Sequence, residues 1–446
     1  MHESWVLSAG RRMMTSFGEI VRVVYPGIPA GNFGPDYRDA VLVFGDGSQV
    51  QGDVELHLCG EDWCRHGHHS DEAYDRVVLH VVANERTGAS ICVAGGRDVP
   101  EVVLDVVDSA GAASLLPCAA RSGRDEAVAR GLLLRAGKAR LLSRAARIAG
   151  ESVGLEPWKL LAHGVARALG YAANSEAAME LGRRLTDSNT VVQMARCDGD
   201  YREVLALGVA GLLPSQRVPV LPSSWAESPQ WDTWWRRLGQ GVSSMGVQRW
   251  KLSGQYPNNS PMRRVVALAD LWPSIRSVAD EAPGLIRKNG ESVRSCVSVL
   301  EGRFRLAGSN YWRCHYDFGH HTGEADLVGG SKAREIVVNA LLPWAASMAL
   351  LSGDAQLLDA TVRLYGGYPP ASRNAVVRHM QRQLHLSGGA TSAAEQQGMV
   401  HLFREYCRHG LCSACSLNTS ANLRCSPGRS PSANKSHEDV LALSGC

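Results

Sequence analysis

Nowhere does the sequence hold an uninterrupted apolar run of the ~18–20 residues that a membrane span requires. The opening segment MHESWVLSAGRRMM also lacks the apolar core of a secretory leader. A cytoplasmic chain with no membrane partner is the expectation that follows. No Walker A loop, no Gly-rich dinucleotide fingerprint after a strand and no Gly-x-Ser-x-Gly elbow after a strand occurs (Gly150-Glu151-Ser152-Val153-Gly154 follows a helical run), which argues against nucleotide-driven chemistry, hydride transfer and the α/β-hydrolases. Net charge is scarce too. With 47 Lys+Arg against 44 Asp+Glu, the +3 balance makes the whole chain no electrostatic trap for nucleic acid. Most of the 12 cysteines are isolated, and Cys92, Cys118, Cys197 and Cys296 sit alone in apolar surroundings. That pattern excludes a disulfide framework and fits buried, reduced thiols.

What is present is an ordinary globular balance, 45% hydrophobic and 20% charged, in a chain of 446 residues long enough for two or three domains. Residues 20–92 read as strands with one helix. The run VRVVYPG ends in a Pro-Gly turn signal, and RDAVLVFGDGSQVQGDVELHL places two β-rich runs around Gly45-Asp46-Gly47, a hairpin signature. Val77, Val78, Leu79, Val81 and Val82 mark a further buried strand, and ICVAGG with VVLDVV adds a strand pair. From about residue 125 the texture is helical: EAVARGLLLRAGKARLLSRAARIAG and PWKLLAHGVARALG carry apolar residues at three- and four-residue spacing. Pro157 suits the first turn of the second helix and Gly170 its end. The fold class expected is α+β or α/β, a small mixed-sheet core followed by a large, mostly α-helical region. Its boundaries are a core over 1–120, a basic helical segment over 121–212, a Pro/Ser/Trp-rich linker over 213–235, a helical C-terminal domain over 236–416 and a disordered tail over 417–446. In the basic segment Arg121, Arg124, Arg130, Arg135, Lys138, Arg140, Arg144 and Arg147 face only Asp125 and Glu126. Helical spacing puts several on one side, as a phosphate-facing stripe or as a solvated face.

The chemistry-bearing residues concentrate in GNFGPDYRDAVLVFGDGSQVQGDVELHLCGEDWCRHGHHSDEAYDRVVLHVV. Asp36 follows a Gly-Pro turn at the mouth of one strand, while Glu55 and His57 are two apart on the next and share a face. Paired as a hairpin, the strands bring Asp36 and Glu55 together, a hard oxygen site suited to Mg²⁺ or Mn²⁺. Such an ion activates water and neutralises charge on a phosphate, with His57 placed to orient the water and Asp53 as a reserve ligand. His66-Gly67-His68 offers two imidazoles to Zn²⁺, or lines a polar pocket. His80, inside VVLHVV, reads as a satisfied core histidine, and Trp63 and Tyr74 as packing residues.

Further along, Cys407-x4-Cys412-x2-Cys415 has metal-ligand spacing, with His409 or Cys425 as a fourth donor for structural Zn²⁺ or an iron–sulfur cluster. The Pro-bounded loop with Asn258, Asn259, Arg263 and Arg264 opens a helix and reads as a phosphate-binding, substrate-holding loop, or as a helix start whose arginines pair with acids. Trp231, Trp234 and Trp235 read as a base-stacking platform or as interdomain packing.

Pro35-Asp36 followed by Glu55-Leu56-His57 resembles the motif of the PD-(D/E)xK nuclease superfamily, with His57 where the superfamily has lysine. The resemblance implies a restriction-endonuclease-like core, Asp36 and Glu55 as metal ligands, and His57 as the third catalytic residue. Lysine supplies a fixed charge, whereas histidine titrates near neutrality. A longer set of stretches resembles the bacterial "domain of unknown function 2851" family. It comprises Asn32-Phe33-Gly34-Pro35-Asp36, Gly52 to His57, Asp62-Trp63, His66-Gly67-His68, Tyr74, Val78 to Val82, Ala168 to Tyr171 with Asn174, and Pro257 to Arg264. Asn339 with Pro343, Gln397-Gly398, and Tyr406-Cys407 with Cys412 and Cys415 complete it, over roughly residues 1–416. Tyr256 in place of an arginine and Cys415-Ser416 in place of Cys-Pro depart from that pattern. The functional expectation is a metal-dependent nuclease acting on DNA or RNA. The alternatives are a catalytically silent scaffold for nucleic acid or protein, and a zinc hydrolase using His66 and His68.

Overall fold

The computed structural model describes residues 1–6, 8–30, 34–84, 90–104, 125–218, 222, 225, 229–253, 255–288 and 293–417. Residues 418–446 of the tail expected to be disordered, Cys118 and the basic residues Arg121 and Arg124 lie outside them, while Leu417 is buried. After a short helix α1 (His2–Val6) come strands β1 (Arg12–Met14), β2 (Ile20–Tyr25), β3 (Ile28–Pro29), β4 (Tyr37–Phe44), β5 (Gln49–His57), β6 (Val77–Val82), β7 (Ile91–Cys92), β8 (Asp98–Val99) and β9 (Glu101–Val103). The main sheet runs β1-β2-β4-β5-β6-β9, with β3 paired to the start of β4 and β7-β8 a separate ribbon. As the Asp-Gly signal predicts, β4 and β5 form an antiparallel hairpin, with Gly47 at φ +84° in the turn, a conformation open to glycine. β6 lies parallel to β5 and β9 parallel to β6, so the chain returns from β5 through a crossover that includes α2 (Asp62–Arg65). The N-terminal sheet is therefore mixed, and everything after it is predominantly helical.

Each face of the sheet buries a different core. Val21, Val23, Leu42, Val54, Leu56, Leu79 and Val81 pack with Trp5 of α1 on one side. On the other, Tyr25, Ile28 and Val41 pack against α3 (Glu126–Gly150) and the helices Ala375–Gln383 and Ala393–Glu405. The Tyr25 hydroxyl meets His379 Nε2 at 2.5 Å across this junction. Because Val41 stands opposite Gln51, strand alternation puts Gln51, Asp53, Glu55 and His57 on the helix-facing side.

One irregularity decides where Asp36 goes. Register shifts between Tyr37–Val54 and Ala40–Gly52, so β4 holds one residue more than β5 there. Asp39, at φ +56°, lies within this bulge; the left-handed region is tolerated by Asp. Extending the Ala40–Gly52 register would put Asp36 on the Leu56 side, in the apolar core. The bulge moves it to the Glu55 side.

The largest core joins helices from both sides of the Pro/Ser/Trp-rich stretch, from Leu141 and α4 (Pro157–Leu169) to Tyr365, Ala393 and Ala394. Within that stretch the described residues include the helices Pro214–Arg217 and Pro229–Leu238. Trp231 is buried against Trp312 and Phe318, at 5.9 and 5.7 Å between ring centres, while Trp234 and Trp235 pack on the same core. These tryptophans pack the interior, which corrects the base-platform alternative. The helix Gly330–Ser352 is long and apolar enough to cross a membrane, and 67% of its apolar window is buried inside the molecule. Its apolarity is an average over the window, and no uninterrupted apolar run of that length is present. A π turn, Val337–Leu341, interrupts this helix.

Candidate functional site

Glu55 and His57 stand at the end of β5, on the sheet face shared with the helices. Beyond β5, α2 carries Trp63, fully buried, whose indole N–H donates to the Cys92 carbonyl at 3.0 Å. Gly67, at φ +77°, reverses the chain between His66 and His68. That turn brings both imidazoles toward β5. Tyr74 stacks on His68 with ring centres 3.8 Å apart.

Three imidazoles and a carboxylate converge. His57 Nε2 is 3.1 Å from His66 Nδ1, and the His57 and His68 rings stack at 5.2 Å. Glu55 Oε1 lies 3.5 Å from His57 Nε2 and 3.4 Å from His68 Nε2. Ligand atoms of His57, His66 and His68 all fall within 4.8 Å of one another. Glu55, His57 and His68 are buried and His66 is exposed. Asp36 joins from the mouth of β4: its backbone N–H donates to Glu55 Oε2 at 2.9 Å, and its Oδ2 accepts from Leu56 N–H at 3.1 Å. Burial, then the adjacent Glu55, raises the Asp36 pKa above its ordinary value.

A second row of groups stands behind His57. His57 Nδ1 meets His80 Nε2 at 2.9 Å, and His80 Nδ1 meets Glu101 Oε1 at 2.9 Å. An ionised carboxylate only accepts, so His80 Nδ1–H donates to Glu101 and His80 Nε2 accepts from His57 Nδ1–H. This polarity leaves the His57 Nε2 lone pair directed at Glu55, His66 and His68. Burial, then His80, pushes the His57 pKa down to about 4, favouring the neutral imidazole that a ligand must be.

The residues fit a divalent cation. His68 Nε2 is buried without a hydrogen-bond partner and lies beside the Glu55 carboxylate, an orphaned acceptor of the kind a metal satisfies. A donor set of imidazoles with one carboxylate suits Zn²⁺ or a similar borderline ion better than the all-oxygen sphere of Mg²⁺.

The expected nuclease-like set of Asp36, Glu55 and His57 is brought together, and His66 and His68 enter the same place. The two metal readings therefore concern one centre. Asp53 turns elsewhere, accepting from Asp39 N–H at 3.1 Å with Arg76 at 3.8 Å. His80 is satisfied, as expected, but by Glu101 and His57, which makes it part of the site. Glu101 escaped sequence reading; the signal that pointed to it was a histidine inside an apolar strand, which requires a polar neighbour.

One other expectation is corrected. Arg263 donates to the carbonyls of Trp312, of His315 at 3.1 Å and of Ala325 at 2.8 Å. Arg264 donates to the carbonyls of Leu327 and Asn258 at 2.7 and 2.5 Å and to Asn259 Oδ1 at 2.9 Å. Both arginines are buried, so they tie the helix Pro261–Lys288 to the 312–327 segment and neither is offered to a phosphate. The expectation for Cys407, Cys412 and Cys415 runs through His409 or Cys425, and Cys425 lies outside the described residues; among those described, the His57–His66–His68 set is the cluster found. Cys407 and Cys415 are buried in the core that joins sheet and helices.

In comparisons with known proteins, a family described as "Protein of unknown function (DUF2851)" matches residues 7–374. That span contains the whole site and ends before the cysteines. No curated protein matches the chain. No solved structure does either.

Proposed function

The chain belongs to the DUF2851 family, and from that premise we propose that its N-terminal sheet carries the centre of a metal-dependent phosphodiester hydrolase. The observation that carries this reading is the convergence of His57, His66, His68 and Glu55 on one end of β5, with the His68 Nε2 acceptor orphaned among them. The layout supports it: an Asp just before β4, Glu-x-His closing β5 and a parallel return strand follow the order that the PD-(D/E)xK motif requires. His57, His66, His68 and Glu55 would hold the ion. Asp36 keeps Glu55 in place through its N–H and adds a second carboxylate beside the ion. His57 stands at the lysine position but acts as a neutral ligand, so charge on the phosphate is met by other groups. A divalent ion held there supplies Lewis acidity toward a phosphoryl oxygen and toward a water nucleophile.

The test is metal content together with cleavage. Purified protein should retain a transition-metal ion, and single- or double-stranded DNA or RNA should be cut when Zn²⁺ or Mn²⁺ is supplied. Glu55→Gln should abolish cleavage with the fold intact. A folded, metal-loaded wild type that cuts none of these substrates would transfer the reading to a binding scaffold.

A further inference from the structure

Six arginines gather where α3, α4 and the helix Ala393–Glu405 meet. Arg140, Arg144 and Arg147 follow one another on α3 at four- and three-residue spacing, a stripe on one helix face. Arg167 comes from the last turn of α4, Arg404 from Ala393–Glu405, and Arg408 from the turn after it. The partners of Arg140 and Arg144 are neutral: Arg140 Nε donates to Gln397 Oε1 at 2.9 Å, and Arg144 to Asn339 Oδ1 at 3.1 Å in the π turn. Arg408 Nε meets His409 Nε2 at 3.1 Å. Among the described residues none of Arg140, Arg144, Arg404 and Arg408 has a carboxylate within 4.0 Å.

Acids are few. Glu151 lies 3.9 Å from Arg147, Glu176 lies 2.5 Å from Arg167, and Glu405 is shared electrostatically by Arg140 and Arg404. Burial, then repulsion from Arg404, lowers the Arg140 pKa to about 10; burial, then Arg140, lowers that of Arg144 to about 9. Guanidinium groups desolvated beside one another without anions are unfavourable unless an anion completes them.

The cluster is tied to the candidate site. Of the helices carrying it, α3 and Ala393–Glu405 pack on the helix-facing side of the sheet, and Arg404 is attracted by Asp39, in the bulge that orients Asp36. The stripe from Arg140 to Arg147 spans about 10 Å at 1.5 Å per residue. A nucleic-acid strand places a charge every ~3.4 Å of helix axis, so a stripe of this length faces several phosphates.

We propose that this arginine cluster is a groove that holds the sugar-phosphate backbone of a nucleic acid and delivers it to the Glu55–His57–His68 centre. The inference rests on the hydrolase reading for its direction, but the binding it predicts does not require metal. Fluorescence anisotropy on the full chain with EDTA present, using labelled ~20-nucleotide single strands and duplexes between ~50 and ~200 mM salt, tests it. Wild type should bind at least one of these probes, with affinity falling steeply with salt. Arg404→Gln/Arg408→Gln, chosen at positions that leave the half-buried Arg140 and Arg144 in place, should weaken binding about tenfold or more and reduce the salt slope by about two. Arg303→Gln, which removes a charge paired elsewhere with Glu281, should not. No binding by wild type to any probe, or equal binding by the double variant, overturns the groove. Hydrolysis of a small phosphodiester by a wild type that binds no nucleic acid would sink the groove and leave the centre standing. Binding without metal uptake or hydrolysis would sink the centre and leave the groove.

Discussion

Glu101 touches neither of the carboxylates nor the two outer imidazoles, yet with His80 it decides which nitrogen of His57 carries the proton. Groups that orient a ligand histidine in this way typically affect metal affinity 10–100-fold. Glu101→Gln, whose amide can also donate, should weaken Zn²⁺ binding by about that factor in a chelator competition, and unchanged affinity would remove Glu101 from the site. His68→Ala should cost more, because it deletes a ligand, while Asp36→Ala should leave measurable metal. Glu55 and His57 were legible in the sequence as a same-face pair, because alternation along a strand is local. His66-Gly67-His68 was legible as a pair of donors. That His57 joins them, and that Glu101 backs His80, was not. Glu101 reaches His80 through the register of β6 with β9, which no local pattern encodes.

Between residues and the whole lie the bulge and the sheet–helix seam. Removing Asp39 should straighten β4 with Tyr37 still opposite Val54 and Asp36 still opposite Glu55, and should cost about 1 kcal/mol through loss of the Asp39 N–H bond to Asp53. Urea denaturation would read this, with metal binding retained; loss of metal binding would show that the bulge itself, and not the pairing of Asp36 with Glu55, holds the site. The hairpin itself was readable from its Asp-Gly turn. The bulge was not, because its cause is the competition between two registers. At the seam, burial and then Arg382 push the His379 pKa down to about 4 from an ordinary 6.5. A buried histidine kept neutral stabilises the fold fully above pH 6.5. The unfolded chain takes up the proton first, so stability falls as pH drops from 6.5 toward 4, by up to about 3 kcal/mol. Replacing His379 by Gln should flatten that part of a pH series of urea midpoints, measured against wild type. An identical slope would assign the loss to other groups, with His57 and His163, also lowered to about 4, next in line.

Across the whole molecule the sheet and the helices are one structure. Tyr25, Ile28 and Val41 are covered by α3, Ala375–Gln383 and Ala393–Glu405, so residues 1–124 alone should expose this face. Such a fragment is expected to bind a hydrophobic dye and to lack a cooperative thermal transition, whereas the full chain should melt cooperatively and gain stability with Zn²⁺, by about 2.7 kcal/mol at a hundredfold excess over Kd. A fragment that melts cooperatively would make the helices an accessory. The sequence by itself determined the element types, the hairpin, the span of α3 and the stretch in which the chemistry lies, because alternation, helical period, Asp-Gly turns and caps act over a few residues. Only the tertiary structure decided that the carboxylate site and the histidine site coincide, that Arg263 and Arg264 hold carbonyls, that Cys407 and Cys415 fill a core, and that arginines from three helices gather in one place. Each of these depends on which distant segments end up in contact. That choice is made by burying apolar faces against one another, and polar residues are carried along to wherever those faces meet.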